Sequence, residues 1–479
     1  MSSSSAAAVS IRDLRIRYPD RDCPAIDGVT EEIARGETVV VTGPSGCGKS
    51  TLCRAIGGFI PEMIQASVEG EIRVDGRSVW DVDSARIAQQ VGYIQQDPDA
   101  QICTLRVERE IAFGPENLNL PIDEVRARVS ECLKAVGIDH LGDRETTDLS
   151  GGEKQRLAIA SILAMRPTIL LLDEPTANLD PDGARSLFGL LARLREERGM
   201  TLLIVEHRVR PLLALTPRVW ILDRGRLVRR HERERIDPRD MGAPTVGALR
   251  RPPTGEELLS IERLAFGYGA PLLRDLTLNL RRGEVLGVIG PNGGGKTTLL
   301  RLIAGLETPD AGRIEVPSRE AIGFVFQHPH HQIFERTVSR ELAVDGEERR
   351  PGEFAERLAE GRLAGLGGVP PLSLSLGEQR RLTLLTALHR CPDLLLLDEP
   401  FIGQDRRNVE WIVSRIRDHC GRGGGAIVVS HDIPLVETLA DRILWVDREP
   451  RFGPPGEIFA ALRASGRDAF LPDAWGNAG

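Results

Sequence analysis

The sequence predicts an α/β fold in which one parallel-sheet unit is written twice along the chain. Three observations carry that prediction. Two glycine-rich loops, "GPSGCGKST" at 43–51 and "GPNGGGKTT" at 290–298, each follow a short apolar run ("TVVVT", "VLGVI") and open a helical pattern ("LCRAIGGF", "LLRLIAGL"). Two further runs, "ILLLDEP" at 169–175 and "LLLLDEP" at 394–400, do not alternate, which is the pattern of strands buried on both faces. The landmarks also keep their spacing. Ser150 to Glu174 and Ser375 to Glu399 are both 24 residues, and from those glutamates to His207 and His431 the intervals are 33 and 32. A period of about one domain marks a tandem duplication rather than a repeat solenoid.

The 479 residues exceed one ordinary core. The boundaries read as a disordered tail over 1–8, a first domain over 9–235, a charged, Pro- and Gly-rich linker over 236–257 and a second domain over 258–479. Between the loop and the octapeptide "LSGGEKQR", Val125, Val129, Leu133 and Val136 recur at the spacing of one helix face.

Composition removes some functions. A formal charge of −8, from 62 basic and 70 acidic residues, argues against a broad nucleic-acid-binding surface. Seven cysteines without a CxxC pair read as reduced thiols rather than a disulfide framework. "MSSSSAAA" has neither a basic start nor an apolar core and reads as a tail, not a signal peptide. No apolar run approaches the about 18 residues a bilayer requires, so work at a membrane would need another chain to span it.

The chain holds only four lysines, and two of them, Lys49 and Lys296, sit in the glycine loops. The loops are Gly43, Pro44, Ser45, Gly46, Cys47, Gly48, Lys49, Ser50 and Thr51 in the first half. In the second they are Gly290, Pro291, Asn292, Gly293, Gly294, Gly295, Lys296, Thr297 and Thr298. Such a loop turns backbone N–H groups inward around phosphate oxygens, with a helix N-terminus behind them. This is the P-loop of nucleoside triphosphatases. Lys49 and Lys296 would reach the β- and γ-phosphates of ATP, and the Ser50 and Thr297 hydroxyls would hold Mg²⁺. Asp173 and Asp398, at strand ends where parallel sheets bind ligands, would support the Mg²⁺ water shell. Glu174 and Glu399 would orient or deprotonate the attacking water. His207 and His431 would contact the γ-phosphate. Tyr18 and Tyr268, 31 and 28 residues before the loop lysines, suit stacking on adenine, although burial in a small β-sheet uses the same residue type. "HPHH" at 328–331 reads as an exposed segment rather than a metal site, and Cys47 as a small residue whose thiol the helix N-terminus could activate.

By these residues the chain resembles the ATP-binding cassette family over nearly its whole length. The resemblance adds the Q-loop glutamines Gln96 and Gln327, which would also ligate Mg²⁺, and the D-loop aspartates Asp180 and Asp405. It adds two signature motifs: Ser150, Gly151, Gly152 and Glu153, and Ser375, Leu376, Gly377 and Glu378. It implies that each domain has a RecA-like parallel core, a small antiparallel β subdomain and a helical subdomain. It also implies that the two cassettes pair head to tail, so that Ser375 and Gly377 close over ATP on Lys49 while Ser150 and Gly152 close over ATP on Lys296. Leu376 replaces the glycine found at 151. If that backbone needs a glycine-like conformation, a Cβ there costs about 1–2 kcal/mol, and the Lys296 site is expected to be the faster of two competent sites.

Within the family, "VGYIQQDPDAQI", "IGFVFQHPHHQIF", "FGPENLNLP", "VEHR" and "EPFIGQD" resemble the fused ATPases of energy-coupling-factor importers for vitamins, their precursors, cobalt or nickel. That resemblance implies a transmembrane scaffold, a membrane substrate-capture component and a place on the cytoplasmic face of the membrane. The second half has no counterpart of "FGPENL". The competing readings are a fused importer ATPase for another small solute and a soluble tandem ATPase acting on ribosomes or in DNA repair.

Overall fold

The computed structural model describes residues 7–472, except 20, 22, 208, 210–211, 213–214, 216–217, 233–254, 317, 319–320 and 344–350. The chain divides into two compact units between residues 243 and 244. Most of the expected linker lies outside the described residues, and so does Arg208 of "VEHR".

In the first unit, β1 (Ala7–Arg17), β2 (Ile26–Ala34), β4 (Ser67–Val74) and β5 (Arg77–Ser78) form an antiparallel sheet in the order β2-β1-β4-β5. Ala7 and Ala8 were expected in the disordered tail. They instead open β1, and Ala8 is buried, because its methyl joins the core under that sheet. The second sheet has the order β10-β9-β3-β8-β7-β6, built from β3 (Thr38–Thr42), β6 (Val91–Ile94), β7 (Ile169–Asp173), β8 (Thr201–Val205), β9 (Arg218–Asp223) and β10 (Arg226–Glu232). All its pairings are parallel except β9 with β10. Strands β3, β7 and β8 are buried at every position, as their unbroken apolar runs require. The P-loop helix α1 (Lys49–Ile56) places Leu52 and Ile56 between Val39, Val41, Leu171 and Leu203 of the parallel sheet and Ile11, Ile16 and Ile33 of the antiparallel one. After the short α2 (Ser84–Ala88), α3 (Val107–Asn117), α4 (Ile122–Val136) and α5 (Gly151–Leu163) pack together as a helical part. Val125, Val129, Leu133 and Val136 form the buried face of α4. Helix α6 (Pro181–Arg198) follows β7.

The second unit repeats the plan with fewer pieces. Strands β11 (Glu257–Tyr268), β12 (Ala270–Arg281) and β14 (Ala311–Glu315) make the antiparallel sheet; β11 starts one residue before the expected domain edge. The other sheet has the order β15-β16-β17-β13-β18-β19, from β13 (Val285–Ile289), β15 (Ile322–Val325), β16 (Leu394–Asp398), β17 (Gly425–Val429), β18 (Arg442–Trp445) and β19 (Arg451–Gly453). Its residues alternate between two cores. Leu394, Leu396, Ile427 and Val429 meet Leu299 and Leu302 of α7 (Lys296–Ala304). Leu395, Leu397, Ala426 and Val428 line the opposite face of the sheet. After α7 come α8 (Val338–Leu342), α9 (Pro351–Glu360) and α10 (Leu376–His389), and their residues Val338, Leu342, Leu358, Leu382 and Leu385 share a small core. Next is α11 (Arg406–Gly421), which supplies Ile412, Val413 and Ile416 against the second face of the sheet, and then α12 (Ile433–Leu439) and α13 (Pro455–Ala464). Among the described residues no helix is long and apolar enough to cross a membrane, and none of the seven cysteines is in a disulfide.

Candidate nucleotide sites

In each unit the glycine loop leaves the C-terminal end of the central strand, β3 or β13, and enters α1 or α7. Two glycines are obligatory. Gly43 sits at φ 147°, and a Cβ there would lie 2.0 Å from the Leu222 carbonyl oxygen; Gly48 sits at φ 108°, with the Ala25 carbonyl oxygen 2.2 Å from its would-be Cβ. The main chain is thus packed too closely for any side chain, which suits a loop that offers its backbone to a ligand. Lys49 Nζ donates to the Gly43 and Pro44 carbonyls at 2.9 and 3.0 Å, and Lys296 Nζ to those of Gly290 and Pro291 at 2.9 and 2.8 Å. Both lysines are buried at the loop. Cys47 is buried too, and burial raises its thiol pKa against the opposing pull of Lys49. The expected activation by the helix end is outweighed by desolvation.

Asp173 and Asp398 end β7 and β16 against the first turns of α1 and α7. The Thr297 hydroxyl donates to Asp398 Oδ2 at 2.8 Å, and Ser50 hydrogen-bonds Asp173. Burial raises the pKa of both carboxyls. Asp398 Oδ1 is buried without a hydrogen-bond partner. A hard-oxygen pair of carboxylate and hydroxyl, with an unsatisfied buried oxygen beside it, fits a Mg²⁺ ion bound largely through water. Tyr93 donates to Asp173 Oδ2 at 3.0 Å, a support absent from the motif reading; the only signal was a tyrosine three residues before Gln96, where the second half has Phe324.

The following glutamates share an unusual backbone. Glu174 has φ 48° and Glu399 φ 50°, the left-handed region that non-glycine residues rarely occupy. Each is anchored by its own N–H, to the Val205 carbonyl at 2.9 Å and to the Val429 carbonyl at 3.1 Å. His207 Nε2 lies 2.9 Å from Glu174 Oε1, and His431 Nε2 lies 3.4 Å from Glu399 Oε1. Gln96 Nε2 donates to Glu174 Oε2 at 2.9 Å. The structure thus gathers the P-loop, acidic pair and histidine of each unit into one cluster, which in the first unit includes the Q-loop side chain of Gln96. It treats the tyrosines differently. Tyr18 is half-buried with its hydroxyl 3.2 Å from Thr51 Oγ1, whereas Tyr268 is 59% exposed and donates to Glu307.

The octapeptides have a local explanation that motif reading missed. Ser150 and Ser375 are the N-caps of α5 and α10. Glu153 and Glu378 return the bond to the cap N–H, each at 2.8 Å, completing a capping box. The S-x-x-E spacing carried that signal. Asp180 and Asp405 likewise cap α6 and α11. Leu376 occupies the first helical position of α10, as Gly151 does in α5, and neither has a positive φ. A Cβ at Gly151 would meet nothing closer than the Asn178 carbonyl oxygen at 3.6 Å. The backbone therefore requires no glycine there, and the expected strain at Leu376 is removed as a reason for unequal sites. His328, His330 and His331 lie with ring centres 4.3–5.6 Å apart. Among the described residues no group of acidic, histidine and cysteine side chains is arranged to hold a metal through three ligands.

A sequence-family profile described as "ABC transporter" matches residues 26–177 and 273–402, one cassette core in each unit. The chain belongs to the ABC transporter family. It is a tandem ABC ATPase that uses ATP and Mg²⁺, with two cassettes in one chain. A Bacillus subtilis relative provisionally named HMP/thiamine import ATP-binding protein YkoD is 32% identical over 94% of this chain and 92% of its own. A Sulfurisphaera tokodaii ABC transporter ATP-binding protein is 34% identical over 91% of this chain and 95% of its own. Among solved structures, a chain in a model of ribosome-bound archaeal Pelota and ABCE1 aligns with a TM-score of 0.71 at 21% identity, over 94% of this chain and 80% of that one. That likeness is one of fold alone.

Proposed function

We propose that this ABC ATPase is the energy-coupling subunit of a membrane importer of the energy-coupling-factor type, supplying both cassettes and lying on the cytoplasmic face of the membrane. The observation that carries the reading is the segment after each Q-loop glutamine. Buried Glu110 accepts the N–H groups of Cys103 and Thr104 (3.1 and 2.8 Å), and buried Glu341 those of Phe334 and Glu335 (3.0 and 2.8 Å). The bent segments so held expose Leu105 at 76% and Phe334 at 84%. A rigid loop that follows the Q-loop glutamine in sequence and presents an exposed apolar side chain suits a transmembrane scaffold's coupling helices. The name of the Bacillus subtilis relative, with its near full-length coverage, supports import of a vitamin or precursor.

In this reading the P-loop N–H groups and Lys49 or Lys296 hold the triphosphate. Ser50 with Asp173, and Thr297 with Asp398, would hold Mg²⁺, and the ion when bound would supply positive charge to the phosphoryl group being transferred. Gln96 and Gln327 complete that set. Glu174 and Glu399 take the proton of the attacking water, and His207 and His431 orient the γ-phosphate. Tyr18 and Tyr268 meet the adenine. The domains 9–235 and 258–479 pair within the chain, each signature Ser and Gly closing over the other's ATP, and closure moves the bound coupling helices.

Purification of the tagged chain from gently solubilised membranes tests this. Recovery with a small transmembrane scaffold and a ligand-bearing membrane protein is expected. Recovery only from the soluble fraction with ribosomal or repair proteins would sink the transport reading and leave the ATPase.

A further inference from the structure

The two signature helices differ at one buried position. Aligning the octapeptides places Arg380 of α10 where α5 has Gln155. Arg380 is 5% exposed. Its guanidinium reaches back into its own cassette, where Nη1 donates to the main-chain carbonyl of Glu399 and Nη2 to that of Gln327 at 3.2 Å. Two of its donors go to carbonyls, one belonging to the Q-loop residue and the other to the residue with φ 50°. Gln155, also buried, leaves its Nε2 without a hydrogen-bond partner. In the first cassette Glu174 is instead held through its carboxylate by Gln96.

We propose that Arg380 is a positioning residue for hydrolysis at the second cassette: it straps the signature helix α10 to the backbone of Gln327 and Glu399 and holds the glutamate's left-handed turn. The inference rests on the assignment of Glu399 as the base for ATP on Lys296. It also gives the molecule a one-sided connection. Helix α10 carries Ser375 and Gly377, which face the first cassette's ATP in the proposed pairing, so engagement there is transmitted through Arg380 to Glu399. Gln155, shorter and uncharged, provides no such path in the other direction. Inequality between the sites then originates at Arg380 rather than at Leu376.

The test separates the two sites in the full-length chain. In a Glu174→Gln background, single-turnover hydrolysis reports the Glu399 site; in a Glu399→Gln background it reports the Glu174 site. Arg380→Gln, which installs the side chain the first cassette carries, is expected to slow the Glu399-dependent rate by about tenfold or more, as misplacement of a catalytic group does. Half-saturating ATP should stay within about twofold, since the strap holds the main chain of Gln327 and Glu399 and leaves their side chains and the P-loop untouched. Arg380→Lys, which keeps the charge but not the two-pronged reach, should recover only part of the rate, and serves as the principal variant if Arg380→Gln does not fold. Loss of similar size at both sites, or a loss confined to the Glu174-dependent rate, would show that Arg380 only shapes the signature helix and overturn the proposal. If the double variant Glu174→Gln/Glu399→Gln hydrolyses ATP as fast as Glu174→Gln alone, the assignment of Glu399 fails, and the proposal with it.

Discussion

Asp398 shows what a single buried carboxylate costs the fold. Burial raises its carboxyl pKa, so the folded state favours the protonated form. Such a group supports folding below its unfolded pKa, and that support is lost as pH rises through the folded value. At neutral pH the ionised carboxylate therefore opposes folding. Asp398→Asn is expected to raise the melting temperature of the second cassette at pH 7.5 without Mg²⁺, the gain shrinking as pH falls into the carboxyl range, while hydrolysis on Lys296 is lost. Thermal melts across pH check the sign; a destabilised Asn variant at neutral pH would refute it. Gly151 is the opposite case. It has ordinary helical backbone and room for a methyl, so Gly151→Ala should stabilise the first cassette by about 0.5–1 kcal/mol, measured by denaturant unfolding. A loss of stability would restore the need for glycine in the signature.

At the scale of elements, the segments after Gln96 and Gln327 are loops made rigid by buried side chains. Gln101 accepts the Gln95 N–H at 3.1 Å and Gln332 the Phe326 N–H at 2.8 Å, while Glu110 and Glu341 each bind two further N–H groups. Removing the carboxylate leaves those donors without their acceptor at a cost of about 1–3 kcal/mol. Glu110→Ala is accordingly expected to increase hydrogen exchange at residues 103–105 and to weaken recovery of the membrane scaffold, with single-turnover hydrolysis in detergent nearly unchanged. Unchanged exchange would mean that the loop is held by other contacts. Helices α5 and α10 show the same economy: one Ser and one Glu both cap the helix and set the side chains at the end that the proposed pairing presents to ATP.

The whole molecule is a duplication whose two copies have kept their chemical groups and changed their supports. Tyr93 braces Asp173 in one cassette, with Phe324 at the matching place in the other; Gln96 engages Glu174, and Arg380 reaches Glu399. Each unit holds every residue of the proposed catalytic set, so both sites should turn over. Glu174→Gln and Glu399→Gln alone should each leave measurable steady-state hydrolysis, and the double variant should lose at least about a hundredfold, the scale of a general base. Complete loss in either single variant would instead show that one site depends on turnover at the other.

The sequence by itself determined the doubled α/β architecture, the two P-loops, the acidic pairs and the matched histidines. These are short motifs whose geometry is local: a glycine forced by a crowded turn, an apolar run too continuous for an exposed strand, a hydroxyl beside a lysine. The S-x-x-E caps were also written in the octapeptides, although the motif reading passed over them. Tertiary structure alone decided which side chains brace that chemistry. Tyr93 meets Asp173 across 80 residues and Gln96 meets Glu174 across 78, while Arg380 turns inward from the polar and charged stretch "GEQRR" that opens its helix. Periodicity cannot identify such contacts, because they depend on where separate strands and helices come to rest and on which buried donors then lack an acceptor. The same physics removed the strain expected at Leu376, since a helix's first turn accepts leucine as readily as glycine.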